Sequence, residues 1–347
     1  MINTEQLIVL MPLFDVNMPA NAQAFFNQLN KIASFDLIDI EPFIVWALNV
    51  NDTGPFNTHF DECGFGSLYF INNMGSMLIG FAIYIVGVIA LALLDCCNTK
   101  FERAAKMSEY LRRNLFHNYL IGMMNESYSL LSVCTLISFY HISFASYGDT
   151  IQTVTSMFFF AMLFIYPIAV YRILVRGWNG NKWNINFHYL KDMFSHFFEE
   201  LRTDIGPLAL IHPFWFLIRR FLMGVVVVVL RKHLCFQVFL KGMSIVAAVI
   251  ISGYVPFATR HKRNIEFFNE TIIMIVMYCF FCFSDFVPDP QARSSIGFVC
   301  CSIVSLHLLV NLFLMGKEIF LEILKDYRFY CAKKRLRKQR PVEKVKY

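Results

Sequence analysis

The sequence predicts an all-α polytopic membrane bundle of about seven transmembrane helices, N-terminus outside and C-terminus in the cytoplasm. Three observations carry that prediction. First, 57% of the 347 residues are hydrophobic and 16% are charged, against roughly 45–50% and about 25% in soluble domains. Thirty-eight phenylalanines and a mean hydropathy of +0.51 point the same way. Second, apolar runs of about 20 residues recur, the length needed to cross a bilayer core of about 30 Å. Third, basic residues alternate between rich and poor connections. This composition excludes a disordered chain, a disulfide scaffold and a collagen-like fibre.

The first span reads as Leu68–Leu94, which has no charge, and the second as His117–Tyr140, with Glu126 inside. The third is Val154–Val175, the fourth Pro207–Leu230 with Arg219 and Arg220, and the fifth Leu234–Phe257 with Lys241. Ile265–Phe286, ending near Asp285, and Ser295–Gly316 complete the set. Helices are required because a lipid-exposed backbone must satisfy its own hydrogen bonds. Short alternating segments of about ten residues, the mark of a barrel, are not seen. The chain thus divides into an outer pre-membrane segment (1–67), the span bundle (68–316) and a basic tail (317–347).

Orientation follows from the positive-inside rule. Only Lys31 precedes the first span, whereas Lys100, Arg103, Lys106, Arg112 and Arg113 follow it. The second connection has no Lys or Arg. The third has Arg176, Lys182, Lys191 and Arg202, the fifth Arg260, Lys262 and Arg263, and the sixth Arg293 alone. Eleven bases follow Gly316. Arg231 and Lys232, in the fourth connection, run against the alternation. Met1–Phe14 has no basic n-region and no cleavage site, so it does not read as a signal peptide. A reverse signal-anchor at the first span, or origin as the C-terminal part of a longer polypeptide, are both compatible with it.

In the outer segment, Asn51-Asp52-Thr53 is a glycosylation sequon before Gly54-Pro55. Ala20–Phe35 reads as an amphipathic helix with Phe25, Phe26, Leu29, Ile32 and Ala33 on one side. It either lies on the outer leaflet or packs on the bundle. Gly177–Asn181 is a turn, and Phe187–Leu201 reads as an interfacial cytoplasmic helix.

Charges within spans are the leads to function, because each costs a few kcal/mol at the bilayer centre. Glu126 matches Arg219 and Arg220 in depth, which predicts an intramembrane ion pair. Asn125, Tyr128, Ser132 and Thr135 form a polar stripe beside it. The stripe is either interhelical glue or one wall of a hydrated path. Lys241 either reaches Asp285 or snorkels to the outer surface. Lys333, Lys334, Arg335, Arg337, Lys338 and Arg340 form a basic cluster whose predicted partner is anionic inner-leaflet lipid, with a protein partner or a simple topogenic stop as alternatives. A continuous straight helix would carry Lys333 roughly 25 Å past Gly316 at 1.5 Å per residue, so the lipid reading needs a bend. Cys96, Cys97 and Cys331 flank spans and are candidates for reversible palmitoylation.

No metal-ligand spacing, cofactor motif or nucleic-acid signature appears. No Walker A, G-x-S-x-G or H-E-x-x-H occurs, so no catalytic residue and no enzyme is predicted. Arginines at every third position, as a voltage sensor requires, are missing. The connection 287–294 is too short for a pore helix and filter. No lysine lies midway along Ser295–Gly316 to carry retinal. The expectation is a non-enzymatic receptor-like or anchoring module of a cell-surface membrane. A channel subunit or carrier with a polar path near Glu126 is the alternative.

PLFDVNMPANAQAFFNQLNKIASFDLI (12–38), NNMGSMLIGF (72–81), HPFWFLIRRFLMG (212–224), GYVPFATRHKRNIEFFNE (253–270) and ARSSIGF (292–298) resemble the C-terminal multi-pass module of large ciliate surface proteins. The likeness covers most of residues 7–316. It implies a membrane module that follows a repetitive, often cysteine-rich ectodomain. There is also a distant similarity to TRP-type membrane regions, from which this chain departs by the short 287–294 connection.

Topology is directly testable. Tags near Asn51 and after Lys333 are expected on opposite sides of the membrane, the first digested from outside and the second protected. Both tags on one side would remove one span.

Overall fold

A computed structural model describes residues 2–33, 41–48, 54–97, 107–109, 111–112, 115, 119–176, 178–179, 182–183, 201–202, 207–253 and 256–339. Among them the chain is all-helical apart from one two-residue ladder. The helices are α1 (Ile2–Leu10, continued by a 3-10 turn Met11–Leu13), α2 (Ala20–Ala33), α3 (Glu41–Leu48), α4 (Thr58–Glu62), α5 (Phe70–Asn73) and α6 (Gly75–Cys97). They continue with α7 (Leu120–Ser138), α8 (Tyr147–Arg176), α9 (Pro207–Val228), α10 (Leu234–Gly253), α11 (Arg260–Cys282) and α12 (Pro290–Gln339). Trp178 pairs with Trp183 and Asn179 with Lys182 in an antiparallel ladder, and Leu201 and Phe257 form an isolated antiparallel bridge.

Among the described residues six helices are long and apolar enough to cross a membrane: Met77–Cys96, Leu120–Ser138, Tyr147–Val175, Cys235–Gly253, Arg260–Cys282 and Pro290–Phe329. The protein is therefore a multi-pass membrane protein by length and composition. The fourth predicted span forms as helix α9, with close to the expected bounds, but falls outside that set of six.

The chain divides into two compact units, Met1–Cys301 and Ser302–Tyr347. In the first, α9 is the hub. It packs along α7 most extensively, then against α8 and α10, while α10 lies along α11. The α7–α9 seam is close because Gly224 faces Ser132. A Cβ at Gly224 would come within 3.0 Å of the Ser132 Cβ and closer still to its Oγ. Helix α6 is peripheral. Only 11% of its span is buried, so its run of Ile, Val and Leu suits lipid.

Residues 11–26 and 54–73 cover the end of the bundle where α7, α9 and α11 finish and α6, α8 and α10 begin. The Tyr69 hydroxyl donates to Asp149 at 2.5 Å, and the Ile71 N–H donates to the Gln152 side chain at 2.9 Å. Asn57 caps α4, its side chain accepting from the Phe60 N–H at 2.9 Å. Phe56 lies 4.6 Å from the Tyr140 ring and under Arg231. Helix α2 takes the packed alternative. Ala22, Phe26, Leu29 and Asn30 are buried, Phe26 sits edge-on to Phe280 at 5.3 Å, and Asn21 donates to the Ser294 carbonyl at 2.9 Å.

Residues 2–14, grouped with the outer segment, pack onto the bundle. Helix α1 packs against α7, α9 and α11, and Leu7, Ile8, Met11, Leu13 and Phe14 are buried. The reason is composition: Leu7–Leu13 is wholly apolar and packs inward, while the ten-residue helix Thr4–Leu13 spans only about 15 Å, too short to cross a bilayer.

In the second unit, α12 keeps its helix through Gln339. Its residues Ile319, Phe320, Ile323 and Tyr327 are exposed. The basic side chains of Lys333, Lys334, Arg335, Arg337 and Lys338, the whole of Arg340, Asn51 and the 187–200 stretch lie outside the described residues.

The seam yields a prediction. Gly224→Ala should destabilise the bundle by about 1–3 kcal/mol through overpacking, and Ser132→Gly in the same chain should recover part of it. Thermal unfolding in detergent reads this out. Unchanged stability of Gly224→Ala would show that α7 and α9 do not meet there.

Candidate functional site

The polar centre of the first unit is built on two consecutive arginines. Successive residues on a helix point about 100° apart, so Arg219 and Arg220 leave α9 toward different neighbours. Arg219 is 5% exposed and Arg220 is 0% exposed. Neither charge can rely on water, and a buried charge must be paired and hydrogen-bonded.

Arg219 Nη1 makes an ion pair and hydrogen bond with Glu270 Oε2 of α11. Both side chains are almost fully enclosed. Glu266, one turn earlier on α11, is within electrostatic reach of the same guanidinium. Asn269, beside Glu270, is fully buried.

Arg220 is held from several sides. Its Nη1 donates to the Asn125 backbone carbonyl of α7, and its Nη2 donates to Gln6 Oε1 of α1 at 3.2 Å. The guanidinium lies over the Phe216 ring, 4.1 Å from the centroid and one turn back on α9. The Asn125 side chain accepts from the Tyr166 hydroxyl at 2.7 Å, which ties in α8. One cluster thus joins α1, α7, α8, α9 and α11.

The predicted polar stripe lies on the buried face of α7. Tyr128 donates to the Leu163 carbonyl at 2.6 Å. Ser132 Oγ donates to the Ser129 carbonyl at 2.7 Å. Ser138, one turn beyond Thr135, bonds the Thr135 carbonyl and Ser156 Oγ. Thr135 is fully buried. Tyr128 and Ser138 bond the neighbouring helix, as interhelical glue does, and Ser132 bonds its own.

Glu126, the expected partner of the arginines, is exposed and lies within electrostatic reach of Arg220. Arg219 pairs directly with Glu270. Lys241 lies over the Tyr278 ring, a cation–π contact. Asp285 is exposed and accepts from Asn17 at 3.2 Å. These two therefore have separate partners. Cys96 is free and exposed, while the Cys97 and Cys331 side chains lie outside the described residues. Cys63, in the covering segment, is buried and free; burial, reinforced by Glu62, pushes its thiol up to about 12. It is a neutral packing group at physiological pH.

Gln6, Glu270 and Glu266 were missed by sequence reasoning. The two acids had a legible signal, since they lie in or beside the sixth apolar run and interior acids mark sites. Gln6 had none, because α1 is too short to register as a span. Among the described residues no group of three or more His, Cys, Asp or Glu side chains is arranged to hold a metal. Comparison with protein-family models, curated proteins and solved structures finds no match to this chain.

The two acids now have distinguishable consequences. Glu270→Gln should strand Arg219 and cost on the order of 3 kcal/mol, as when one partner of a buried pair is removed. Glu126→Gln should cost less than about 0.5 kcal/mol, as for a surface position. Unfolding free energies of the two variants in one detergent or bicelle system decide this. Equal losses, or a larger loss at Glu126, would reverse the assignment.

Proposed function

We propose that the chain is a non-enzymatic, receptor-like or anchoring membrane module whose interior is locked by charge pairing and is not hydrated for transport. The observation that carries this reading is the enclosure of Arg220. A guanidinium at the depth where a carrier would present a wet site has no solvent-accessible area and is held by a backbone carbonyl, an amide and an aromatic ring. A transport site must admit its substrate, and an enclosed guanidinium leaves none a way in.

The covering segments 11–26 and 54–73 add support. They form a packed surface over one end of the bundle, tied to α8 and α12 by Tyr69, Ile71 and Asn21. Such a surface suits a module that holds a preceding or neighbouring domain at the membrane. On this reading the membrane is that of the cell surface, in line with the resemblance to ciliate surface modules. Membrane lipids are its partners, with anionic inner-leaflet lipid facing the tail.

The transport alternative rests on a specific feature: polar side chains of α7, α9 and α11 do converge. Reconstitution separates the two. Under an imposed potential, vesicles holding the full chain should pass protons and monovalent ions no faster than protein-free vesicles. A conductance that Arg220→Gln or Glu270→Gln abolishes would overturn the anchoring reading in favour of transport.

A further inference from the structure

Helix α3 turns large apolar side chains away from the protein. Pro42 to Leu48 reads PFIVWAL, with no charged or hydrogen-bonding side chain except the Trp46 indole. Ile44 is buried, whereas Phe43 is 63% and Trp46 77% exposed. These two lie one turn apart with ring centroids 5.9 Å from each other, so they form one outward patch. A face of this kind, with nothing polar to hold water, calls for an apolar covering.

The place of α3 in the fold identifies the covering. The helix packs on α5, and α5 runs through Met74 straight into Gly75, the first residue of α6. Phe70 of α5 stacks on Phe159 of α8 at 5.0 Å, and Phe81 of α6 approaches the same ring at 6.1 Å. Helix α3 therefore stands at the end of the bundle where α6 and α8 begin. Both of those helices face outward with apolar side chains a few turns on: Ile83 and Val86 of α6, and Val154 and Phe158 of α8, are all more than half exposed. The α3 patch heads this lipid-facing surface. Other connections expose aromatic rings at the same end, with Phe144 and Tyr147 where α7 passes to α8 and Phe286 between α11 and α12. Trp and Tyr concentrate at the headgroup level of a bilayer, where one part of the ring system is apolar and the other meets polar groups.

We propose that α3 is an interfacial anchor that seats Phe43 and Trp46 in the bilayer leaflet at this end of the bundle, between phospholipid headgroups and acyl chains. Eight residues span only about 12 Å, so α3 does not cross; its apolar face reaches roughly 5–10 Å into the headgroup and acyl boundary. At that depth the Trp46 indole N–H has ester oxygens and interfacial water to bond, while the ring displaces apolar surface. Helix α3 has Glu41 as its one charged residue and no Lys or Arg. The contact therefore needs no anionic lipid, in contrast to the attraction expected of a basic cluster. It stands whether the bundle anchors or transports.

The test uses the full chain in phosphatidylcholine vesicles. The chain has four Trp, so the emission of Trp46 is taken as the difference between the native chain and Trp46→Phe. Phosphatidylcholine brominated near the carbonyl end of its acyl chains quenches from the lipid side, and iodide on both faces of the vesicle quenches from water. The Trp46 signal should fall at least about twofold in brominated vesicles and by a smaller factor in iodide, as for a ring held at the acyl boundary. Phe43→Trp combined with Trp46→Phe moves the probe one turn along the same face and should give the same order. A larger loss to iodide than to brominated lipid would put the face in water. No loss to either would put it against protein, a second copy or another chain. Each of these two results overturns the proposal.

Discussion

Two adjacent arginines in the middle of a buried helix impose the constraint on which the rest of the bundle depends. Their charges lie on α9, away from water, and each needs partners from a different direction because the helix turns between them. Glu270 answers Arg219 from α11. The Asn125 carbonyl and Gln6 answer Arg220 from α7 and α1. The helix that carries the charges therefore has to be the central one, and the helices that answer them have to surround it. A pair or network of this kind is weak evidence for extra stability, since desolvation opposes attraction. Its stronger consequence is for specificity of arrangement: few alternative packings would leave both guanidinium groups satisfied.

The remaining polar groups follow the same logic at lower energy. In a bilayer, helices gain little by hiding apolar side chains from equally apolar lipid. Close approach and interhelical hydrogen bonds have to supply the association. Gly224 against Ser132 supplies the first. Tyr128 to the Leu163 carbonyl, Tyr166 to Asn125, and Ser138 to Ser156 supply the second. Helix α1 fits the same scheme: it packs against α7, α9 and α11, and its Gln6 delivers an amide that Arg220 reaches.

Much of the helix layout was legible because a membrane span is a long, strongly biased signal. Each of the six candidate spans overlaps one of the seven apolar runs, and the start of α2 at Ala20 was read to the residue. What sequence could not supply was azimuth. Neighbouring positions of α7 differ: Asn125 is buried and its carbonyl accepts from Arg220, whereas Glu126 is exposed and within electrostatic reach of Arg220. The stripe Asn125, Tyr128, Ser132 and Thr135 was correct as a buried face because four spaced residues define an azimuth where a single residue does not. Lys241 contacts Tyr278 and Asp285 contacts Asn17, partners that sequence order does not show. Helix α1 was invisible as an element because ten apolar residues are half a span. The tail helix was legible in its length, and its uninterrupted run through Gln339 is the geometry that works against laying Lys333–Arg340 along a leaflet.

The account turns on whether Arg219 and Glu270 stabilise one another inside the bundle. A double-mutant cycle of Arg219→Gln and Glu270→Gln, read as unfolding free energy in a lipid bilayer, isolates that term from each residue's separate effects. A coupling of at least about 1.5 kcal/mol is expected, as for close charge pairs at enclosed sites. A coupling below about 0.5 kcal/mol, the range of independent sites, would mean the two charges do not meet. The central place given to α9 would then have no basis.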